Sequence, residues 1–183
     1  MVRYGEVVKK APDSLVESCL VHVLDTGLHG LSLRPLGAAV GVSDRMLMYH
    51  FGSKDGLISQ VVALANRRLI EHVGVIRSDD TAPVSATVRR AWTYLTSAEG
   101  AKISGLYLDL CSLSARDPAR WAPALRDLRA SWIAAIGSSE ANPDLQRLVV
   151  GAVDGLLLDR LTTGDFDRVD AALDALLSLL ESA

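Results

Sequence analysis

The chain has 183 residues, 49% of them hydrophobic and 22% charged, with a formal net charge of −3. This is enough apolar material for a sizeable core and too much for a disordered chain, while the negative balance argues against non-specific coating of nucleic acid. No apolar run approaches the roughly 20 residues of a membrane span, and the N-terminus lacks the charged-then-apolar layout of a secretory leader, so a cytoplasmic protein with no membrane partner is expected.

Residues 1–11 show no periodicity but include Arg3, Lys9 and Lys10. They read as a frayed terminus or, alternatively, as a basic arm for a nucleic-acid backbone or minor groove. Pro12 and Asp13 open a first helix in which Leu15, Val16, Cys19, Leu20, Val23 and Leu24 recur at helical spacing, and Gly27 stops it. Residues 32–57 then predict two short helices joined by a tight turn. Ser32 is placed to cap the first of them, and Pro35 falls within its first turn, where N–H groups lack intrahelical partners. Leu36, Val40, Val42, Leu47 and Phe51 supply the apolar corner. Gly37 permits close crossing, Gly41 supplies a left-handed turn, and Ser43 caps the second helix. This is a helix-turn-helix pattern, whose second helix is able to enter the DNA major groove.

The continuation sharpens the pattern. Ser32, the turn Gly41-Val42-Ser43, Leu47, Tyr49, Phe51, Ser53 and Lys54 are all in register with a signature that ends in F-x-S-K, over about residues 12 to 70. In these residues the chain resembles the tetracycline-repressor (TetR) family of bacterial transcription regulators. The recognition helix is expected over residues 44–50, with Leu47 and Phe51 turned inward and Arg45, Met46, Met48 and Tyr49 outward. Arg45 is the first choice for bidentate guanine readout, and Met46 and Met48 suit thymine methyl groups. The resemblance implies that Tyr49 meets a base or sugar-phosphate and that His50 and Lys54 hold phosphates. Lys54 follows Ser53, the expected cap of the next helix, whose positive end favours an anion. Two residues depart from the family pattern: Asp44, which reads as a cap beside Ser43 or an acceptor for a cytosine amino group, and Met48, where a Tyr is usual. Both bear on which operator is read.

A long fourth helix is expected over Lys54–Ile76, with Leu57, Val61, Leu64, Ala65 and Leu69 on one stripe and Arg67, Arg68 and His72 solvated. A loop at residues 78–83 marks a boundary. The expected organisation is a helix-turn-helix head (1–53), a linking helix (54–78) and an effector-binding and dimerisation body (79–183). Residues 1–78 carry 9 Lys/Arg against 7 Asp/Glu (+2), whereas residues 79–183 carry 10 against 15 (−5). A mildly basic head on an acidic body suits a site-specific DNA binder.

Beyond the boundary every periodic segment is helical. The stripes are Val84, Val88, Trp92 and Leu95; then Ile103, Leu106, Tyr107, Leu110 and Leu113. After Asp117-Pro118 come Trp121, Leu125, Leu128, Trp132, Ile133 and Ile136; after Asn142-Pro143 come Leu145, Leu148, Val149, Ala152, Leu156 and Leu157. Val169, Leu173, Leu176, Leu177 and Leu180 make the last, which residues 165–167 cap. The total is about nine helices, an all-α protein. Residues 148–161 are apolar nearly all round apart from Asp154, Asp159 and Arg160, with Gly151 and Gly155 four apart, which suggests one side in the chain's own core and another against a partner. The resemblance implies a four-helix dimer interface here, with Gly151, Gly155, Leu156, Leu173 and Leu177 at the contact; a fully intramolecular core is the other reading. Trp92, Tyr107, Cys111, Trp121 and Trp132 lie in the middle helices, where the family binds an effector, and as a group they suit an apolar or aromatic ligand; singly, each also reads as plain core.

Cys19 and Cys111 are expected to be buried free thiols, and the four histidines lack metal-ligand spacing. No glycine-rich phosphate loop, H-E-x-x-H or nucleophile elbow is present, so neither catalysis nor a cofactor is expected. The expected function is a dimeric regulator, a repressor on a palindromic operator released by a small-molecule effector. Two rivals are an effector-independent DNA-binding dimer and a helical metabolite-binding protein or enzyme with a vestigial head.

Overall fold

The computed structural model describes residues 11–76, 83–136 and 142–182, with backbone only at 73–76 and 136. Within them the chain forms nine helices and no strand: α1 (Asp13–Thr26), α2 (Leu33–Val40), α3 (Asp44–Phe51), α4 (Lys54–Ile76), α5 (Val84–Leu95), α6 (Ala98–Arg116), α7 (Pro118–Ile136), α8 (Pro143–Thr163) and α9 (Phe166–Glu181). Among the described residues no helix is long and apolar enough to cross a membrane. The basic terminal residues Arg3, Lys9 and Lys10, the side chain of Ile136 and most of the loop at 78–83 fall outside the described residues.

The chain divides into two compact units, Met1–Ala65 and Asn66–Ala183, and α4 contributes to both. In the first unit α1 packs on α2 and α2 on α3. Cys19, Leu20, Val23, Leu36, Leu47, Leu57 and Val61 are sealed completely from solvent, with Phe51 close behind. Burying a Leu or Phe contributes about 1.5–3 kcal/mol each, which is what holds two eight-residue helices too short to be stable alone. Val40 and Val42 are only half-buried, so the corner rests on Leu36, Leu47 and Phe51. Gly41 adopts φ 75° and ψ 23°, the left-handed conformation expected at the turn. Gly37 has a more specific role than helix crossing. A Cβ there would lie 2.6 Å from the Val42 carbonyl oxygen and 3.2 Å from the Asp44 nitrogen, so it is the turn backbone that needs the space. Ser32 occupies the N-cap position of α2 but its side chain makes no capping bond.

In the second unit α5 packs on α6, α7 and α9, while α8 packs on α6, α7 and α9. Its core includes Val88, Trp92, Leu95, Ile103, Leu106, Leu110, Trp121, Leu128, Val149, Val153, Leu157, Val169, Leu173 and Leu177. The buried stripe of α8 differs from the expected one. Val149, Val150, Val153 and Leu157 face inward, whereas Leu145 and Leu148 are 39% and 66% exposed. His72 is exposed but not merely solvated, because its ring stacks on Tyr94 at 3.9 Å.

A cluster of polar and aromatic groups ties α5 to α8 and α9. Trp92 Nε1 donates to Asp170 Oδ1 at 2.9 Å, and Arg160 Nη1 donates to the same oxygen at 2.9 Å. The Arg160 guanidinium also lies 4.5 Å from the Phe166 ring centroid and 6.0 Å from that of Trp92. Arg89 and Asp174 add a second α5–α9 ion pair at 2.7 Å.

Candidate nucleic-acid interface

The first turn of α3 is fixed by two adjacent side chains. Ser43 Oγ accepts from the Met46 N–H at 3.2 Å, and Asp44 Oδ1 accepts from the Arg45 N–H at 2.8 Å. The carboxylate of Asp44 is therefore engaged as a cap, where it also complements the positive helix end. Leu47 and Phe51 anchor the inner face of α3. On a helix of 3.6 residues per turn this turns Arg45, Met46, Met48 and Tyr49 toward solvent. All four are exposed, Met46 and Met48 at 42% and Tyr49 at 59%. Three large apolar or aromatic side chains on eight residues of exposed helix would be costly ornament on an isolated monomer and are suitable material for base edges.

His50 differs from the others. It is half-buried, packs edge-on to Tyr49 at 5.2 Å, and its Nδ1 is buried with no hydrogen bond among the described residues. Only its second ring nitrogen is left for a phosphate. Lys54 is exposed at the first position of α4, where Ser53 Oγ accepts from the Gly56 N–H at 2.9 Å. Ser32 and Ser43 are also exposed.

The five middle-helix residues have different polar partners. Trp92 belongs to the α5–α8–α9 cluster with Asp170 and Arg160. Trp121 is buried on α7, with the Arg120 guanidinium 5.1 Å from its centroid. Tyr107 and Cys111 stand together on α6, and there the structure adds Arg129 and Asp154, which the sequence reading did not place with them. Tyr107 Oη donates to Asp154 Oδ2 at 2.9 Å, and Arg129 Nη1 donates both to Asp154 Oδ2 at 2.6 Å and to Tyr107 Oη at 2.9 Å. Trp132 lies one turn from Arg129 on α7 and is half-buried.

Burial raises the Asp154 carboxyl above its ordinary range despite the bonds from Tyr107 and Arg129. Burial also raises the Tyr107 phenol, and the neighbouring Asp154 charge pushes the same way. For Arg129 burial acts downward, but Asp154 and Tyr107 prevail and raise it, so the ion pair stays charged on that side. Both cysteines are free thiols: Cys19 is buried and pushed up to about 11 by that burial, whereas Cys111 is only half-buried.

On α8 the face opposite the buried stripe carries Leu148, Gly151, Gly155 and Leu158, all exposed, with Leu156 half-buried to one side. A Cβ at Gly151 or Gly155 would meet nothing within 4 Å. On α9 the expected contact residues Leu173 and Leu177 are 1% and 3% exposed, consumed by the chain's own core. The open face of α9 carries Arg168, Ala171, Ala172, Ala175, Ser178 and Leu179.

Comparison with known proteins agrees with this geometry. The family model described as "Bacterial regulatory proteins, tetR family" matches residues 24–61, and "Tetracyclin repressor-like, C-terminal domain" matches residues 115–182. Among curated protein sequences, none matches. Similar solved structures include a TetR-family transcriptional regulator from Rhodococcus sp. (19% identity, 93% of this chain and 96% of that one, TM-score 0.72). A TetR transcriptional regulator from Legionella pneumophila is similar too (13%, 97% and 98%, TM-score 0.72). So is the multidrug binding protein EbrR complexed with proflavin (23%, 91% and 96%, TM-score 0.72). With a head and a body each matched by its own family model, on a fold the solved regulators share, this chain belongs to the TetR family of DNA-binding transcription regulators.

Proposed function

We propose that the protein is a homodimeric repressor that reads a palindromic operator and is released by a small-molecule effector. The observation that carries the reading is α3 itself: Leu47 and Phe51 lock its inner face while Arg45, Met46, Met48 and Tyr49 stand in solvent. Arg45 would read guanine, the methionines thymine methyls, and Lys54 and the His50 ring the phosphates on either side. Ser32, Ser43 and Tyr49 would complete the backbone contacts.

Dimerisation is supported by α8. A glycine in a helix interior costs about 1 kcal/mol relative to alanine, and among the described residues nothing requires Gly151 or Gly155 to lack a side chain. A partner helix pressed against Leu148, Gly151, Gly155 and Leu158, with the small residues of α9 beside it, accounts for both. Two copies related by a two-fold would then set the two α3 helices in successive major grooves. The effector is proposed to be a small aromatic molecule, of the kind with which EbrR is complexed (proflavin, ethidium), held in the body of this chain. It must bind the DNA-free conformation more tightly than the DNA-bound one, and the coupling is reciprocal.

The test is selection of bound duplexes from a random library at one stated salt concentration. An enriched palindrome, whose half-site spacing gives the separation of the two recognition helices, is the expected result. Failure to enrich any sequence, with and without aromatic ligands, would overturn the reading.

A further inference from the structure

Asp154 interrupts the apolar run of α8, and its surroundings are unusually one-sided. Both of its hydrogen bonds, from Arg129 and Tyr107, are made to Oδ2. Among the described residues nothing bonds Oδ1. The carboxylate is thus a half-buried acceptor with one oxygen satisfied and one open. Its side chain is 25% exposed and that of Arg129 is 36% exposed, so the anion is the more deeply held partner. The two also differ in mobility. Asp154 hangs on a single methylene from α8 and cannot follow a displaced partner, whereas the long Arg129 side chain is able to swing outward and keep its charge solvated.

From this asymmetry we infer that Arg129 is an internal placeholder, and that the Asp154–Tyr107 pair is the binding site for an organic cation with a flat aromatic skeleton. The inference rests on the ligand-responsive reading above and names the class of its effector. A cation that displaces Arg129 restores the charge balance of Asp154 and gains the open Oδ1 as an acceptor. An anion drawn to Arg129 would do the opposite, leaving a half-buried carboxylate unpaired beside a second negative charge. Tyr107, and Trp132 one turn along α7 from Arg129, are both half-buried and are the aromatic residues on which a planar cation would stack. The raised carboxyl of Asp154 agrees, because its present partners do not fully compensate its burial.

The test uses the full chain without DNA at mildly alkaline pH, titrated calorimetrically with three tricyclic probes of similar size. These are proflavin, which is cationic, acridine, which is neutral, and anthracene-9-carboxylate, which is anionic. Proflavin is expected to bind at least about tenfold more tightly than acridine, and the anion not at all, a discrimination expected of a desolvated charge contact. Arg129→Ala removes the competitor and should tighten proflavin several-fold. Arg129→Ala with Asp154→Asn should lose about tenfold or more relative to Arg129→Ala alone, and this double variant leaves no unpaired charge to impair folding. Preference for the anion, equal binding of all three probes, no binding of proflavin to either the parent or Arg129→Ala, or no loss in the double variant would each overturn the inference. Asp154-dependent proflavin binding that leaves operator affinity unchanged would sink the release mechanism and leave the site standing. Operator release by acridine or the anion, unaffected by Asp154→Asn, would do the reverse.

Discussion

Replacing Gly151 and Gly155 together by alanine distinguishes a dimer face from an ordinary solvent face by the sign of the effect. In the isolated chain the change should stabilise. Each glycine in an exposed helix interior is about 0.8–1 kcal/mol less favourable than alanine, so the pair offers about 2 kcal/mol. Neither new methyl meets any atom of the described residues within 4 Å, so no clash among them subtracts from that gain. In a two-fold dimer each substitution occurs twice, and four methyl groups enter a contact that the glycines had allowed to close. Overpacking costs about 1–3 kcal/mol per site, so the dissociation constant should rise by tenfold or more, at about 1.4 kcal/mol per tenfold. Sedimentation equilibrium gives the dissociation constant, and urea unfolding below it gives the stability of the single chain. A double variant that is more stable and dimerises as tightly as its parent would refute the argument that a partner explains these glycines.

Arg45→Ala should cost about 1–3 kcal/mol on the selected operator and relax preference at one base pair, whereas Lys54→Ala should weaken all duplexes alike and lower the salt slope by about one; binding measured at several salt concentrations separates them. Ser43→Ala removes the oxygen that accepts the Met46 N–H and should lower the thermal stability of the head by about 1 kcal/mol, with operator affinity falling too; an unchanged melting curve would deny the cap its role. The raised Asp154 carboxyl means that the folded chain keeps this proton to higher pH than the unfolded chain, whose ordinary value is 3.8. Stability from this group is therefore greatest below that value and falls as pH rises through the folded one. Urea unfolding across mildly acidic pH should show the parent losing stability relative to Asp154→Asn, and parallel curves would contradict it.

The head was legible because its determinants are local. Leu36, Leu47 and Phe51 are read from helical spacing, and Ser43 and Gly41 from their position at a turn. Gly37 was singled out correctly for crowding, although the crowding comes from the turn backbone, which no spacing rule reveals. The body was legible as helices but not as sites. Asp154 finds its partners 25 and 47 residues away, and Trp92 finds Asp170 78 residues away, on other helices. Pairs at such separations leave no local periodic signature, and Arg129 looks like any helix-surface cation until α6 and α8 are set beside α7. Leu173 and Leu177 are a related case. Their leucine-rich stripe announces burial, and the chain's own core takes it, whereas Ala171, Ala172, Ala175 and Ser178 on the exposed side of α9 carry almost no hydrophobic signal.

The Trp92–Asp170–Arg160 cluster also equips the molecule with an optical probe. All three tryptophans, at positions 92, 121 and 132, belong to the second unit, and none belongs to the first. Trp92 is the one whose indole N–H is held by a carboxylate beneath a guanidinium, an electrostatic setting that is lost when α5 parts from α9. Tryptophan emission therefore follows the opening of the body while the head melts in the dark, and far-ultraviolet dichroism sees both. Superimposing the two curves would show directly whether the first unit and the second unfold as one cooperative object or as two.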